Sequence, residues 1–170
     1  MTEKKFLPIV GPRKGEVLVE IIRKIKPKRI LEIGTLIGYS AILMGKELRS
    51  DAHVITIEIH SDEAAMAEEN IRKAKIKPKV DVLVGDAIDI LPRLEGEFDM
   101  VFIDADKREY MEYLKLVEDK LHRGSVLVAD NAGIFADEMR DYLDYVRHSE
   151  KYDSRYMPMG KDGLEVSIRK

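Results

Sequence analysis

Arg29-Ile30-Leu31-Glu32-Ile33-Gly34-Thr35-Leu36-Ile37-Gly38-Tyr39-Ser40 is the stretch on which the fold turns. The run through Ile33 reads as a buried strand, the two glycines as a turn, and residues 39–48 as a helix. The same alternation continues on both sides. Upstream, Val17, Leu18, Ile21, Ile22 and Ile25 recur at helical spacing until Pro27 stops them. Downstream, apolar runs at 54–57, 80–84, 98–103 and 125–129 read as strands. Helices are expected from Ser61, a candidate N-cap, around 87–91, over 107–121 and over 137–148. Strands at 152–157 and 164–168 flank the turn Gly160-Lys161-Asp162-Gly163, which makes the last strand antiparallel. This alternation predicts a doubly wound, Rossmann-like α/β fold with a mostly parallel seven-stranded sheet, and residues 1–170 as one domain.

In such sheets ligands bind at the carboxyl ends of the strands, so the residues just after each apolar run are the ones to inspect. Asp104 follows Met100-Val101-Phe102-Ile103, and Asp130-Asn131 follows Val126-Leu127-Val128-Ala129. Two carboxylates and an amide oxygen make a hard-oxygen set suited to a divalent cation such as Mg²⁺. Lys107, three residues after Asp104, is placed to face the same site. Gly34 and Gly38 form a G-x-x-x-G turn after Glu32, a spacing that disfavours the pyrophosphate cradle of G-x-G-x-x-G. Glu58 at the end of the second strand suits ribose hydroxyls, and Asp86 at the end of the third suits an adenine.

Composition narrows the field. The chain has 170 residues, 45% hydrophobic and 36% charged, with a net charge of −3 and no cysteine. Disulfides, thiolate zinc sites and thiol nucleophiles are excluded. The polar start, Met1-Thr2-Glu3-Lys4-Lys5-Phe6, lacks a leader's apolar stretch and no run suits a membrane span, so a cytoplasmic location without membrane contact is expected. Residues 1–29 hold nine Lys or Arg against three Glu, and a second basic cluster surrounds Arg72 to Lys79. Both lead into strand starts, so they are expected at the sheet edge opposite the site. Nucleic acid is therefore not the favoured partner. His53, His60, His122 and His148 are scattered and read as surface or partly buried residues.

The segments 30–40, Thr56-Ile57-Glu58, Gly85-Asp86-Ala87, Phe102 to Lys107 and Ala129-Asp130-Asn131 together resemble the cation-dependent O-methyltransferases, the catechol and caffeoyl-CoA enzymes among them. These are class I S-adenosylmethionine-dependent methyltransferases. The resemblance runs from about Pro12 to the C-terminus. It implies that Glu32, Gly34 and Ser40 hold the methionine part of the cofactor, Glu58 its ribose, and Asp86 with the Ala87 backbone its adenine. It also implies that Asp104, Asp130 and Asn131 bind the metal, with Asp104 bordering the cofactor as well, and that Lys107 is the base.

The implied reaction is metal-assisted methyl transfer from S-adenosylmethionine to a hydroxyl of a small, vicinal dihydroxy acceptor. A tRNA-modifying O-methyltransferase and an NAD-binding or non-catalytic module are the alternatives, and a homodimer is left open. The chain departs from the family in having little before Pro12, a short loop after Asn131, no tryptophan, and Tyr156 where animal catechol enzymes carry an acid. Tyr156, Met157, Pro158 and Met159 are candidates for an apolar acceptor wall, or for core or dimer packing.

Overall fold

The computed structural model describes residues 9–170; the segment Met1 to Phe6, read above for a leader's apolar stretch, lies outside them. The elements are α1 (Pro12–Ile25), β1 (Arg29–Ile33), α2 (Tyr39–Lys46), β2 (His53–Glu58), α3 (Ser61–Ala74), β3 (Lys79–Val84), α4 (Ala87–Ile90), β4 (Phe98–Ile103), α5 (Tyr110–Val117), β5 (Leu121–Ala129), α6 (Arg140–His148), β6 (Tyr152–Met159) and β7 (Asp162–Arg169). The strand order is β3-β2-β1-β4-β5-β7-β6. Every pairing is parallel except those of β7, which runs antiparallel to both β5 and β6. The sequence expectation of a doubly wound sheet with an antiparallel last strand holds.

Helices cover both faces, so the central strands must be apolar on both sides. Leu31, Ile33, Val101, Ile103 and Leu127 face a core shared with Tyr110 and Leu114 of α5 and Tyr142 of α6. Ile30, Met100, Phe102, Val126 and Val128 face the other core, against Leu18 and Ile22 of α1 and Met44 of α2. Burying side chains of this size stabilises the fold by about 1.5–3 kcal/mol each. The chain winds one way through β1, β2 and β3 and the other through β4 and β5. The reversal puts a crevice at the carboxyl ends of β1 and β4, where Asp104 N–H donates to Ile33 O at 2.9 Å.

Several local boundaries differ from the sequence reading. His60, not Ser61, is the N-cap of α3, because the Glu58 carboxylate takes the His60 N–H at 3.0 Å and turns the chain there. The segment expected as one helix over 107–121 is a 3-10 turn (Lys107–Glu109), α5, and a second 3-10 turn (Glu118–Lys120) before β5. The Asp106 side chain accepts the Arg108 N–H at 3.1 Å and closes the first of these turns. Strand β5 begins four residues earlier than its apolar run, with a register shift against β4, and Ser125 Oγ bonds Phe98 O at 2.7 Å beside it. Residues 131–139 form turns, so α6 starts at Arg140 instead of residue 137. Asp162 and Gly163 belong to β7, which leaves Gly160 (φ 69°) and Lys161 as the hairpin tip. Among the described residues no helix is long and apolar enough to cross a membrane.

Candidate active site

One cleft of about 860 Å³ runs along the carboxyl ends of β1 to β5. Glu58, Gly34, Ser40, Asp86 and Ala87 line it, as do Asp104, Lys107, Asp130 and Asn131. Glu32 does not line it. It lies buried directly behind Ser40, which donates to its carboxylate from the first turn of α2. Thr56 Oγ1 donates to the other oxygen at 2.7 Å. Burial pushes the Glu32 carboxyl up to about 7, against the pull of the Ser40 and Thr56 hydroxyls; the charges of Asp104 and Glu58 add to the rise.

Gly34 sits at φ 98°, and a Cβ there would run into the Asp104 carbonyl. Glycine is what lets the β1 turn lie against the end of β4. Glu58 accepts the Leu36 N–H at 2.7 Å as well as that of His60, so it fastens the glycine turn to the end of β2. Asp86 caps α4 by accepting the Ile88 N–H at 2.9 Å. Asp106 lines the cleft and pairs with Arg108 at 2.7 Å. Glu58, His60 and Glu63 offer ligand atoms within 4.8 Å of one another, so His60 is less isolated than its sequence position suggested.

The other end of the cleft is a charged cluster. Lys107 Nζ donates to Asp104 Oδ1 at 2.9 Å and to Tyr110 Oη at 3.0 Å. The Tyr110 hydroxyl lies 3.1 Å from Ile103 O and 3.2 Å from Asp130 O, joining the ends of β4 and β5. Burial, with the charges of Asp104 and Asp130, holds Tyr110 protonated far above the usual phenol range. Asp130 pairs with Lys14, whose ammonium also meets Asp162 Oδ2 at 2.5 Å. Burial raises the Asp130 carboxyl, and the neighbouring Asp104 charge raises it further.

Burial opposes the charge on Asp162 too, but Lys14 and the Gly163, Asn131 and Ile134 donors outweigh it and hold that carboxyl well below its usual range. Lys14 therefore stays charged: the burial that disfavours its ammonium is outweighed by Asp130 and Asp162. Two strand-end acids held side by side, each matched by a lysine ammonium and flanked by an amide, form an oxygen-rich set that fits a divalent cation.

The structure thus brings together every site residue named from the sequence, with Glu32 one layer behind the wall. It adds three. Tyr110 was taken only as part of a helix, although its spacing from Lys107 put it on the same side. Asp162 was read as a hairpin-tip residue. Lys14 was counted with a basic cluster expected at the far sheet edge; Lys28 and Arg29 are there, bonding Asp99 through their N–H groups at 2.9 Å, but Lys14 reaches the cleft from the first turn of α1. Tyr156, Met157, Pro158 and Met159 are not a wall of this cleft. They line a separate shallow groove with Arg13 and Glu16, because β7 inserts between β5 and β6 and pushes β6 to the sheet edge.

An O-methyltransferase family model matches residues 2–147. Catechol O-methyltransferase B of Danio rerio is 36% identical over 172 residues, covering 94% of this chain and 64% of that protein. This chain therefore spans somewhat under two thirds of that relative's length. The O-methyltransferase TomG of Streptomyces achromogenes, involved in tomaymycin synthesis and solved with S-adenosylmethionine, superimposes with a TM-score of 0.90 at 28% identity, over 96% of this chain and 83% of its own. The O-methyltransferase from Bacillus cereus, solved with S-adenosylhomocysteine, gives 0.88 at 27% identity, over 95% and 83%.

Proposed function

Because this chain belongs to the O-methyltransferase family, and to its S-adenosylmethionine-dependent, cation-dependent branch, we propose that it transfers a methyl group from S-adenosylmethionine to a hydroxyl of a small, catechol-like acceptor. The observation that carries this reading is the single cleft with two chemically distinct ends, joined at Asp104. At one end, Glu32 behind Ser40 and the Gly34 turn take the methionine part. Glu58 takes the ribose, and Asp86 with the Ala87 backbone takes the adenine. At the other end, Asp104, Asp130 and Asn131 would hold a divalent cation, which would make the acceptor hydroxyl more acidic. Lys107 Nζ, held beside Asp104, takes the hydroxyl proton. The oxygen then attacks the methyl carbon in line, the O–CH₃ bond forms, the S–CH₃ bond breaks, and the sulfonium leaves as the neutral thioether.

Tyr110 keeps Lys107 aimed at this point, since its hydroxyl accepts from Nζ. Holding the two reactants in line supplies much of the acceleration. Val10, Ile134 and Phe135 give the acceptor end apolar walls suited to an aromatic ring. Acidic side chains outnumber basic ones along the cleft, which disfavours a nucleic-acid acceptor. With labelled S-adenosylmethionine, catechols are expected to accept methyl far faster than monophenols, and unmodified tRNA not at all. Transfer to tRNA with none to any catechol would select the RNA reading.

Two binding results are expected alongside. S-adenosylhomocysteine raises the melting temperature, adding about 2.7 kcal/mol at a hundredfold excess over its dissociation constant, and NAD does not. Glu58→Ala weakens that binding and leaves Mn²⁺ binding intact; an equal shift with NAD would overturn the assignment of this end. The Glu32 carboxyl predicts the pH dependence. Being raised to about 7, it holds a proton in the free protein below that pH, whereas the ligand's ammonium favours the ionised form. Affinity should therefore rise from pH 6 to 8, by up to about tenfold in all, and calorimetry in two buffers should detect proton release. Glu32→Gln should bind more weakly and with a flat profile. In the ligand-free protein the same shift favours stability below the unfolded value of 4.5, a contribution lost as the pH rises through about 7.

A further inference from the structure

Asp162 lies behind the cleft wall at the start of β7, and it accepts four donors. Lys14 Nζ is at 2.5 Å, Asn131 Nδ2 at 2.8 Å, and the N–H groups of Gly133 and Ile134 are both at 3.1 Å. An ionised carboxylate only accepts, so the Asn131 amide must turn its NH₂ toward Asp162 and leave Oδ1 as the free end. Asn131 sits at φ 60°, a conformation asparagine tolerates in a tight turn, and Ala132 N–H donates to Gly163 O at 3.1 Å. The hairpin β6–β7 thus fixes both the backbone and the amide of the residue after β5. Lys14, from α1, is shared between this carboxylate and Asp130.

Building on the cation site assigned above, we propose that Asp162 is a positioning residue for it. It orients the Asn131 oxygen as a ligand, and it keeps a second berth for Lys14, so the ammonium can leave Asp130 when a divalent cation arrives without losing its counterion. Groups behind metal ligands commonly govern affinity in this way. Lys14 is then a built-in competitor for Asp130, carried on the helix that follows Val10 and Gly11, and Val10 lines the cleft.

The test is Mn²⁺ titration of the full chain, without cofactor or acceptor, followed by the paramagnetic resonance of the free ion. Asp162→Asn, which can present either end of its own amide to Asn131 and no charge to Lys14, is expected to weaken Mn²⁺ binding by about 10–100-fold. Lys14→Met is expected to tighten it by about tenfold, the size of one removed neighbouring charge at a partly screened site. S-adenosylhomocysteine affinity should not change in either variant. Should Asp162→Asn fail to fold, Lys14→Met decides alone: tighter binding supports the shared ammonium, and equal or weaker binding overturns it. Wild-type binding of Mn²⁺ with both variants unchanged would overturn the inference alone. Absence of Mn²⁺ binding in the wild type would overturn the cation site together with it.

Discussion

Asp130→Ala should abolish methyl transfer and divalent-cation dependence together. Turnover is expected to fall by about 10³-fold, since a bound cation is worth several kcal/mol of transition-state charge stabilisation. Exhaustive chelation of the wild type should reach the same floor, and Mg²⁺ or Mn²⁺ should restore it only where Asp130 is intact. S-adenosylhomocysteine binding should survive in the variant, because Glu32, Gly34 and Glu58 lie on β1, its turn and β2. Asp130→Ala also removes the acceptor of the Asn131 N–H, a bond of 2.6 Å, and one of Lys14's two carboxylates. Asp130→Asn is the gentler control: it keeps the side chain's shape but loses the charge. Full turnover after chelation would reduce Asp104, Asp130 and Asn131 to a structural role, with the two acids balanced by lysines alone.

Lys107→Met is expected to lower turnover by about 10²–10⁴-fold, the usual worth of a positioned base, with cofactor and Mn²⁺ affinities little changed. Higher pH should rescue it only in part. Hydroxide can ionise the acceptor in bulk, but nothing then accepts the proton at the point of attack. Tyr110→Phe makes the comparison sharper. It keeps the ring between Tyr113 and Tyr142 and removes the hydroxyl that aims Nζ and bridges the Ile103 and Asp130 carbonyls, so a loss in kcat with KM nearly unchanged is expected, with some loss of stability. Wild-type rates in Lys107→Met would remove it as the base.

The strand-end residues were legible because their signal is local. Met100 to Ile103 is a buried strand wherever it is placed in a covered parallel sheet, and the first polar residue after it, Asp104, must then emerge at the carboxyl edge. The same holds for Glu58 at the end of β2 and for Asp130 and Asn131 after β5. Glu32 was legible as a candidate beside the glycine turn, but its depth was not. An acid inside a strand looks the same in sequence whether its carboxylate meets a ligand or two hydroxyls. Only the approach of α2, with Ser40 over it, and of Thr56 on the neighbouring strand placed it behind the wall, where burial raises its carboxyl to about 7 against the pull of those two hydroxyls.

Two further features divide the same way. The hairpin tip was visible as a glycine-rich turn, but the register Met159 to Asp162 gave Asp162 to β7 and directed it at the loop after β5. The 3-10 turn at Lys107 depended on one Asp106 side-chain bond that no periodicity reports.

By itself, then, the sequence determined the alternation of strands and helices, the antiparallel last strand and the acids and glycines at the strand ends, since each follows from periodicity and turn chemistry within a few residues. Tertiary structure alone decided the partners of those acids. Lys14 lies 116 residues from Asp130 and 148 from Asp162 along the chain. It reaches them because α1 packs over the face of the sheet where β5 and β7 pair. A contact across that separation exists only after the sheet has closed, so charge balance at the site is a property of the packing of α1, β5 and β7 and of no one segment.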